Sequence, residues 1–479
     1  MRGICDFSTA IKAHIPKLIS LFTGAGGLDI GLEAAGFETL AACELEPYAC
    51  QTLRANKELG LLASKDFEAW FKVQINQKCY KNVSAEELLL LKQRCKNAVG
   101  NQPFLTRAAI LEGDVRNITS EQLMKVTSKG RGELDLVAGG PPCQPFSRAG
   151  KRENVECDTG RLFLEFVRIV DDLRPRWFLF ENVKGLVITK TDLLELRCRN
   201  CGATSLAPFA ARIRQLEGSA IPCPRCSSFD VAENWKTERG GSLHIILNEF
   251  ESLGYKCYWK VLNAADFGAP QSRERLLIVG SRDGEYFEWP KPRCGKAVSA
   301  AKASQPELFA SNDSGLPPWR TMADALWRNG HPKYGKLNPE RALLWVKNVV
   351  RPHDEPVTWR LNRPSPTIGA HQAAKLALAP LGVPPEQLAR QQWHVLGRRQ
   401  RDLPPVEVEH DYLSDIELLN LQTFPASWYL FGTRMQRAFQ IGNAVPPILA
   451  QCVGEELLKT MQRVGNDVSR GGKVQKVSK

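Results

Sequence analysis

Three groupings of reactive side chains stand out in this chain. Cys143 sits in the run Gly139-Gly140-Pro141-Pro142-Cys143-Gln144-Pro145-Phe146-Ser147. A cysteine of ordinary surroundings is a small buried hydrophobe. Here the prolines on both sides fix the backbone, and the loop leaves an apolar run, so the thiolate is held in one direction for attack. The second grouping is a glycine turn, Gly24, Gly26 and Gly27, with acids closing the next two apolar runs at Glu44 and Asp114. Glycine lets backbone approach a ligand at a helix N-terminus. Glu44 is placed to hold a ribose and Asp114 an adenine amino group, which together indicate an adenosine-bearing cofactor. The spacing departs from the dinucleotide pattern G-x-G-x-x-G, and a turn with no ligand role is the alternative. The third is a pair of C-x-x-C knuckles, Cys198/Cys201 and Cys223/Cys226. Four thiolates suit tetrahedral Zn2+ in a closed structural site, although the span between the knuckles is slightly longer than in the usual zinc ribbon. A reduced, unliganded quartet is the alternative.

These residues are positioned by short apolar runs alternating with helical stretches. Leu18 to Phe22 ends in the glycine turn, after which Leu28, Gly31, Leu32 and Ala35 recur at helical spacing. Further runs stop at Glu44, at Asp114, at Gly139-Gly140 and at Glu181. Strands alternating with helices predict a parallel sheet covered on both faces, with ligands beyond the carboxyl ends of its strands. Tyr255–Ala264 and Leu276–Ser281 read as two more strands, flanking the loop Asp266 to Gln271.

At 479 residues the chain exceeds a single core, and two or three units are expected. Hydrophobic residues make up 43% and charged residues 24%, ordinary for a soluble protein, and no apolar run reaches the length of a membrane span. The first residues lack a signal-peptide core. Fourteen cysteines without a secretion signal fit reduced thiols and metal ligation, hence a cytoplasmic location. A formal charge of +12 suits a partner rich in phosphates.

The motif order resembles that of the cytosine-5 DNA methyltransferase family. Phe22-Thr23-Gly24-Ala25-Gly26-Gly27-Leu28 resembles its S-adenosylmethionine loop, Glu44 and Asp114 its next cofactor contacts, and Gly139 to Ser147 its nucleophile loop. Glu181-Asn182-Val183, Gln271-Ser272-Arg273-Glu274-Arg275 and Gln440 to Pro447 resemble its acidic, double-arginine and C-terminal motifs. Gly160-Arg161-Leu162-Phe163 resembles the segment packed on the cofactor. Tyr412 to Pro425 resembles the motif before the last, but has Asp415 in place of the arginine usual beside its glutamate, for which only a structural consequence is expected.

The resemblance implies an α/β, Rossmann-like methyltransferase fold: a mixed sheet with helices on both faces, a smaller target-recognition domain and a zinc-ribbon insertion. The implied layout is a catalytic domain over 1–283 with insertions at 57–110 and 195–232, a recognition domain over 284–432, a returning segment over 433–464 and a basic flexible tail over 465–479. It implies a catalytic set of Cys143, Glu181, Arg273 and Arg275, and S-adenosylmethionine contacts at Phe22, Gly24, Gly26, Leu28, Glu44, Asp114, Pro142, Leu162 and Asn443.

The implied reaction is methyl transfer to C5 of a flipped-out cytosine in duplex DNA. Cys143 adds to C6, Glu181 stabilises the charge at N3, and the two arginines fix the base carbonyl and the nucleophile loop. Ser147, Arg148, Lys151 and Arg152 belong to the loop that would close over the base. Within the recognition region, Lys333, Lys336, Arg341, Lys347, Arg351, Arg360 and Arg363 are interleaved with Tyr334, Trp345 and Trp359, as expected for phosphate and base contacts, a solvated basic face being the alternative. The resemblance further implies a monomeric modification enzyme, with a restriction endonuclease acting on the same DNA site but forming no stable complex with it. A tRNA cytosine-5 methyltransferase on the same core, and a catalytically inactive DNA-binding relative, are the competing readings.

Overall fold

The computed structural model describes residues 14–76, 83, 85–100, 104–142, 158–207, 220–296, 315–327, 342–345, 358–373, 375–378 and 411–469. Cys143, Ser147, Arg148, Lys151 and Arg152 lie outside them, as do Lys333, Tyr334, Lys336, Arg341, Lys347 and Arg351 of the recognition region.

The strands in chain order are β1 (Lys17–Leu21), β2 (Glu38–Glu44), β3 (Ala109–Glu112), β4 (Leu136–Gly139), β5 (Trp177–Val183), β6 (Lys190–Cys198), β7 (Thr204–Leu206), β8 (Val231–Arg239), β9 (Lys256–Asn263), β10 (Glu274–Ser281), β11 (Ala342–Trp345), β12 (Thr358–Arg360), β13 (Leu376–Leu378) and β14 (Asp411–Tyr412). Seven of them form the main sheet in the order β3-β2-β1-β4-β5-β10-β9. The first five run parallel, and β10 is antiparallel to both of its neighbours. The sheet is therefore mixed, as the family resemblance implies, where strand–helix alternation alone predicts a parallel one. β1, β4 and β5 are almost wholly buried, consistent with cover on both faces.

On one face Phe163, Phe166, Val170, Leu243 and Phe250, from the helices Asp158–Leu173 and Gly241–Ser252, pack against Phe178 and Phe180 of β5. On the other, Leu28 and Leu32 of the helix Gly27–Ala34 pack with Leu449, Val453 and Leu457 of the helix Pro447–Ser469. These two helices approach so closely that a Cβ on Gly31 would lie 2.3 Å from the Pro447 carbonyl oxygen and 2.5 Å from Ala450 Cβ. The last described helix thus completes the core under the first.

A smaller sheet, β12-β11-β13-β14, follows the double-arginine loop. Its residues Leu343, Leu376 and Leu378 share one apolar cluster with Ala25, Leu53 and Phe104, so the smaller sheet and the catalytic sheet are joined by packed side chains. Asp415 accepts from Arg437 Nε at 2.5 Å, tying the helix Asp415–Leu421 to the helix Arg434–Asn443. Ser414 and Glu417 close a capping box on the first of these helices. Among the described residues, no helix is long and apolar enough to cross a membrane.

Asp29, on the helix after the glycine turn, is wholly buried beside Ser20, with Glu33, Glu44 and Cys43 as its titratable neighbours. Burial pushes its carboxyl from an ordinary 3.8 up to about 7. An acid raised in the folded state contributes stability below its unfolded pKa, and that contribution is lost as the pH climbs through the folded pKa. Stability should therefore fall between about pH 4 and 7, by up to about 1.4 kcal/mol per unit on this group's account. Asp29→Asn should flatten that slope in urea unfolding measured across the same range.

Candidate active site

Six of the predicted cofactor residues, Phe22, Gly24, Gly26, Leu28, Glu44 and Asp114, lie at or just beyond the carboxyl ends of β1, β2 and β3. Phe22, Gly24 and Gly26 all have positive φ, at 56°, 57° and 83°, so the chain turns sharply between β1 and the helix that Gly26 caps. The turn is fastened to β2 through Thr23 N–H, which donates to the Cys43 carbonyl at 3.1 Å. Glu44 is held by two backbone donors: Gly24 N–H reaches Oε2 at 2.6 Å and Glu46 N–H reaches Oε1 at 2.8 Å. Burial raises its pKa while these N–H groups pull it down. Gly113 N–H donates to the Glu44 carbonyl at 2.9 Å, bringing the end of β3 alongside.

Both Asp114 carboxylate oxygens accept from Arg116 Nε, at 3.0 and 2.9 Å, and Oδ2 also accepts from a terminal guanidinium nitrogen at 2.5 Å; this arginine holds the carboxyl below the ordinary range. Leu28 is buried, Leu162 packs on the main core, and Pro142 and Asn443 are exposed.

Of the catalytic candidates, Glu181 and Arg275 meet where β5 and β10 pair, and Cys143 lies outside the described residues. Glu181 is 9% exposed and lies near the end of β5. In the antiparallel register Leu277 faces Glu181 and Arg275 faces Val183, which makes Arg275 the diagonal neighbour of Glu181 on one face. Arg275 Nε donates to Glu181 Oε1 at 2.8 Å. Burial drives the Glu181 pKa up, and Arg275 and then Arg273 oppose it, leaving the carboxyl above its ordinary value.

The other Glu181 oxygen lies against the start of the nucleophile loop. A Cβ on Gly140 would sit 2.6 Å from Oε2, so only glycine fits there without displacing the carboxylate. Asn182 Nδ2 donates to the Pro141 carbonyl at 3.1 Å, pinning that loop two residues before Cys143. Neither Gly140 nor Asn182 belongs to the site set read from the sequence. Both flank predicted residues, but a close approach and a side-chain-to-carbonyl bond leave no trace in residue type. Arg116 was missed for the same reason.

Arg273 takes a different place from Arg275. It is 1% exposed and donates to the carbonyl of Ile368 at 3.0 Å and of Gly442 at 2.9 Å, linking the double-arginine loop to the segment after β12 and to the C-terminal motif. Burial pushes its guanidinium well down, and the neighbouring Arg275 adds to the shift.

The four knuckle cysteines converge at the tip of the β6–β8 hairpin, their sulfurs all within 4.8 Å of one another. Cys198 and Cys226 sulfurs are 3.6 Å apart, and those of Cys201 and Cys223 are 3.7 Å apart. A tetrahedron with Zn–S bonds of about 2.3 Å has edges of about 3.8 Å. The N–H groups of Cys201 and Arg225 point at the Cys198 and Cys223 sulfurs at 3.4 Å, a donor set that suits thiolates.

A sequence profile of the C-5 cytosine-specific DNA methylases matches residues 16–80, 104–197 and 231–459. The stretches it leaves out hold the helix Ala85–Ala98 and the knuckle cysteines. Among curated proteins, the type II methyltransferase M.AquIA of Picosynechococcus is 32% identical over 65% of this chain and 87% of its own length. M1.HphI of Haemophilus parahaemolyticus is 27% identical over 92% of this chain and 86% of its own length. M.NgoMIV of Neisseria gonorrhoeae is 25% identical over 93% of this chain and 98% of its own length. With a profile match running through the cofactor turn, the Glu181 strand, the double-arginine loop and the returning helix, this chain belongs to the C-5 cytosine-specific DNA methylase family.

Proposed function

We propose that this protein transfers the methyl group of S-adenosylmethionine to C5 of a flipped-out cytosine in a specific duplex DNA sequence, through a covalent bond between Cys143 and C6. The observation that carries this reading is the buried Glu181–Arg275 pair seated against Gly140, three residues before Cys143.

Cytosine C5 is a weak nucleophile. Addition of the Cys143 thiolate to C6 opens the C5–C6 double bond and moves electron density onto C5 and the ring. Glu181, its pKa raised by burial, holds a proton at a higher pH than an ordinary carboxyl and can donate it to N3 as that density arrives. Arg275 keeps the carboxyl oriented and would donate to the base carbonyl. Arg273 acts as a positioning residue, fastening the recognition region and the C-terminal motif to the same edge. Glu44, fixed by two N–H groups, and Asp114 would hold the ribose and the adenine. S-adenosylmethionine, when bound there, supplies the methyl group that C5 accepts. Removal of the C5 proton then expels the Cys143 sulfur and restores the thiolate. The base must leave the stack for its C6 face to be reached, at a cost of a few kcal/mol.

The type II names of the relatives support a role as the modification half of a restriction–modification pair. The four-cysteine cluster supports a structural Zn2+ that would close the hairpin tip.

Bisulfite sequencing of DNA from cells expressing the chain should reveal methylcytosine in one sequence context, absent with Cys143→Ala; unmethylated DNA in the presence of folded protein refutes the assignment. Gly140→Ala should displace the Glu181 carboxylate and slow single-turnover methyl transfer by about 100-fold, with DNA affinity little altered. Elemental analysis of the purified chain should give one zinc per molecule, reduced to background in Cys223→Ser/Cys226→Ser, and a metal-free wild type would count against the zinc site.

A further inference from the structure

The hairpin that carries the four cysteines grows out of the edge where Glu181 lies. β5 ends at Val183, and the short helix Gly185–Ile188 leads from it to Lys190, the first residue of β6. Gly240, next after the last residue of β8, returns to the same place: its N–H donates to the Thr189 carbonyl at 2.9 Å. With a helical turn in the connection, Lys190 stands at most roughly 16 Å from the end of β5.

One face of the hairpin base is already covered. Thr191 Oγ1 and Ser242 Oγ lie 2.6 Å apart, and Glu238 Oε1 lies 3.1 Å from His244 Nδ1, which seats Thr191 and Glu238 on the helix Gly241–Ser252. The register sets Thr191 opposite Glu238 and Lys190 opposite Arg239. Successive side chains of a strand face opposite ways, so Lys190 and Arg239 project together from the other face, and both are exposed.

Like charges directly opposite on a ladder repel. Among the described residues neither cation has a hydrogen-bond or ion-pair partner, and the acids of the hairpin base are engaged elsewhere. Glu238 also pairs with Lys236 at 3.6 Å, Glu195 pairs with Lys236 at 3.4 Å, and Asp192 accepts from the Thr237 hydroxyl at 2.6 Å. Lys184, on the way from β5, is by contrast held by both oxygens of Glu274 at 2.8 Å. The hairpin thus carries an uncompensated pair of positive charges, which is a cost to the folded chain alone. A polyanion passing the same edge removes that cost, and the phosphodiester backbone offers one charge about every 3.4 Å of strand.

We propose that Lys190 and Arg239 grip the phosphate backbone of duplex DNA within about five nucleotides of the target cytosine. This contact rests on the reading of duplex DNA as the substrate.

Counterion release supplies the test, since each phosphate contact adds about 0.9 to the slope of log affinity against log salt concentration. The probe is a fluorescein-labelled duplex of about 40 base pairs centred on the context that bisulfite sequencing identifies, followed by anisotropy from about 50 to 300 mM KCl. Lys190→Gln/Arg239→Gln should lower the slope by about 1.8, and the charge-preserving Lys190→Arg/Arg239→Lys should keep the wild-type slope. The glutamine variant should melt at or above the wild-type temperature, because a repulsion has been removed, and bind S-adenosylmethionine normally in calorimetry. Neutral methylphosphonates at the flanking phosphates should weaken binding of the wild type and leave the glutamine variant unaffected. An unchanged slope, equal methylphosphonate sensitivity in both proteins, a lowered melting temperature, or a slope change seen with tRNA and not with duplex DNA overturns the contact. A wild type that binds S-adenosylmethionine but no duplex DNA instead overturns the substrate reading, and the contact with it.

Discussion

A buried carboxyl needs polar partners for its oxygens, and the pairing of Glu181 with Arg275 organises this edge of the sheet. Arg275 can reach Glu181 because β10 runs against its neighbours. In a parallel strand the first residues lie at the amino edge of the sheet, away from the ligands. Reversal puts the start of β10, and with it Arg273 and Arg275, at the carboxyl edge where β1, β4 and β5 end. Gly140 and Asn182 then follow as necessities: the first makes room for the Glu181 carboxylate, and the second secures the loop that passes over it.

The same edge joins catalysis to recognition. Arg273 spends its two terminal nitrogens on carbonyls 74 residues apart in sequence, at Ile368 and Gly442. Around it, Ser365 N–H donates to Pro270, Ser272 N–H to Ser365, and Thr367 Oγ1 to the Ser272 carbonyl. Such dense backbone stitching between two sheets leaves little freedom for one to move without the other.

Much of this was legible in the residues. The apolar runs that stop at Glu44, Gly139 and Glu181 are strands, because burial on both faces demands unbroken hydrophobic stretches. The knuckle cysteines converge because their spacing closes a hairpin. Strand direction was not legible from alternation: β10 reads like any other apolar run, and only the family resemblance implied a mixed sheet. Nor did residue type separate Arg273 from Arg275. Both occur in one short motif, yet one pairs with a carboxylate and the other with two distant carbonyls, a distinction set by what the fold brings opposite each. Arg116 likewise reads as an ordinary surface cation until the turn after β3 folds it back onto Asp114.

The packing of the helix Pro447–Ser469 against the helix Gly27–Ala34 has a consequence in time. The first helix emerges from the ribosome more than 400 residues ahead of the surface that covers it, roughly 20 to 80 s at ordinary rates of synthesis. Throughout that interval the floor beneath the cofactor turn lacks its other half, so a nascent chain carries the nucleophile loop and the acidic strand but cannot yet assemble a finished site. A chain truncated before Pro447 therefore lacks half of the packing around the first helix.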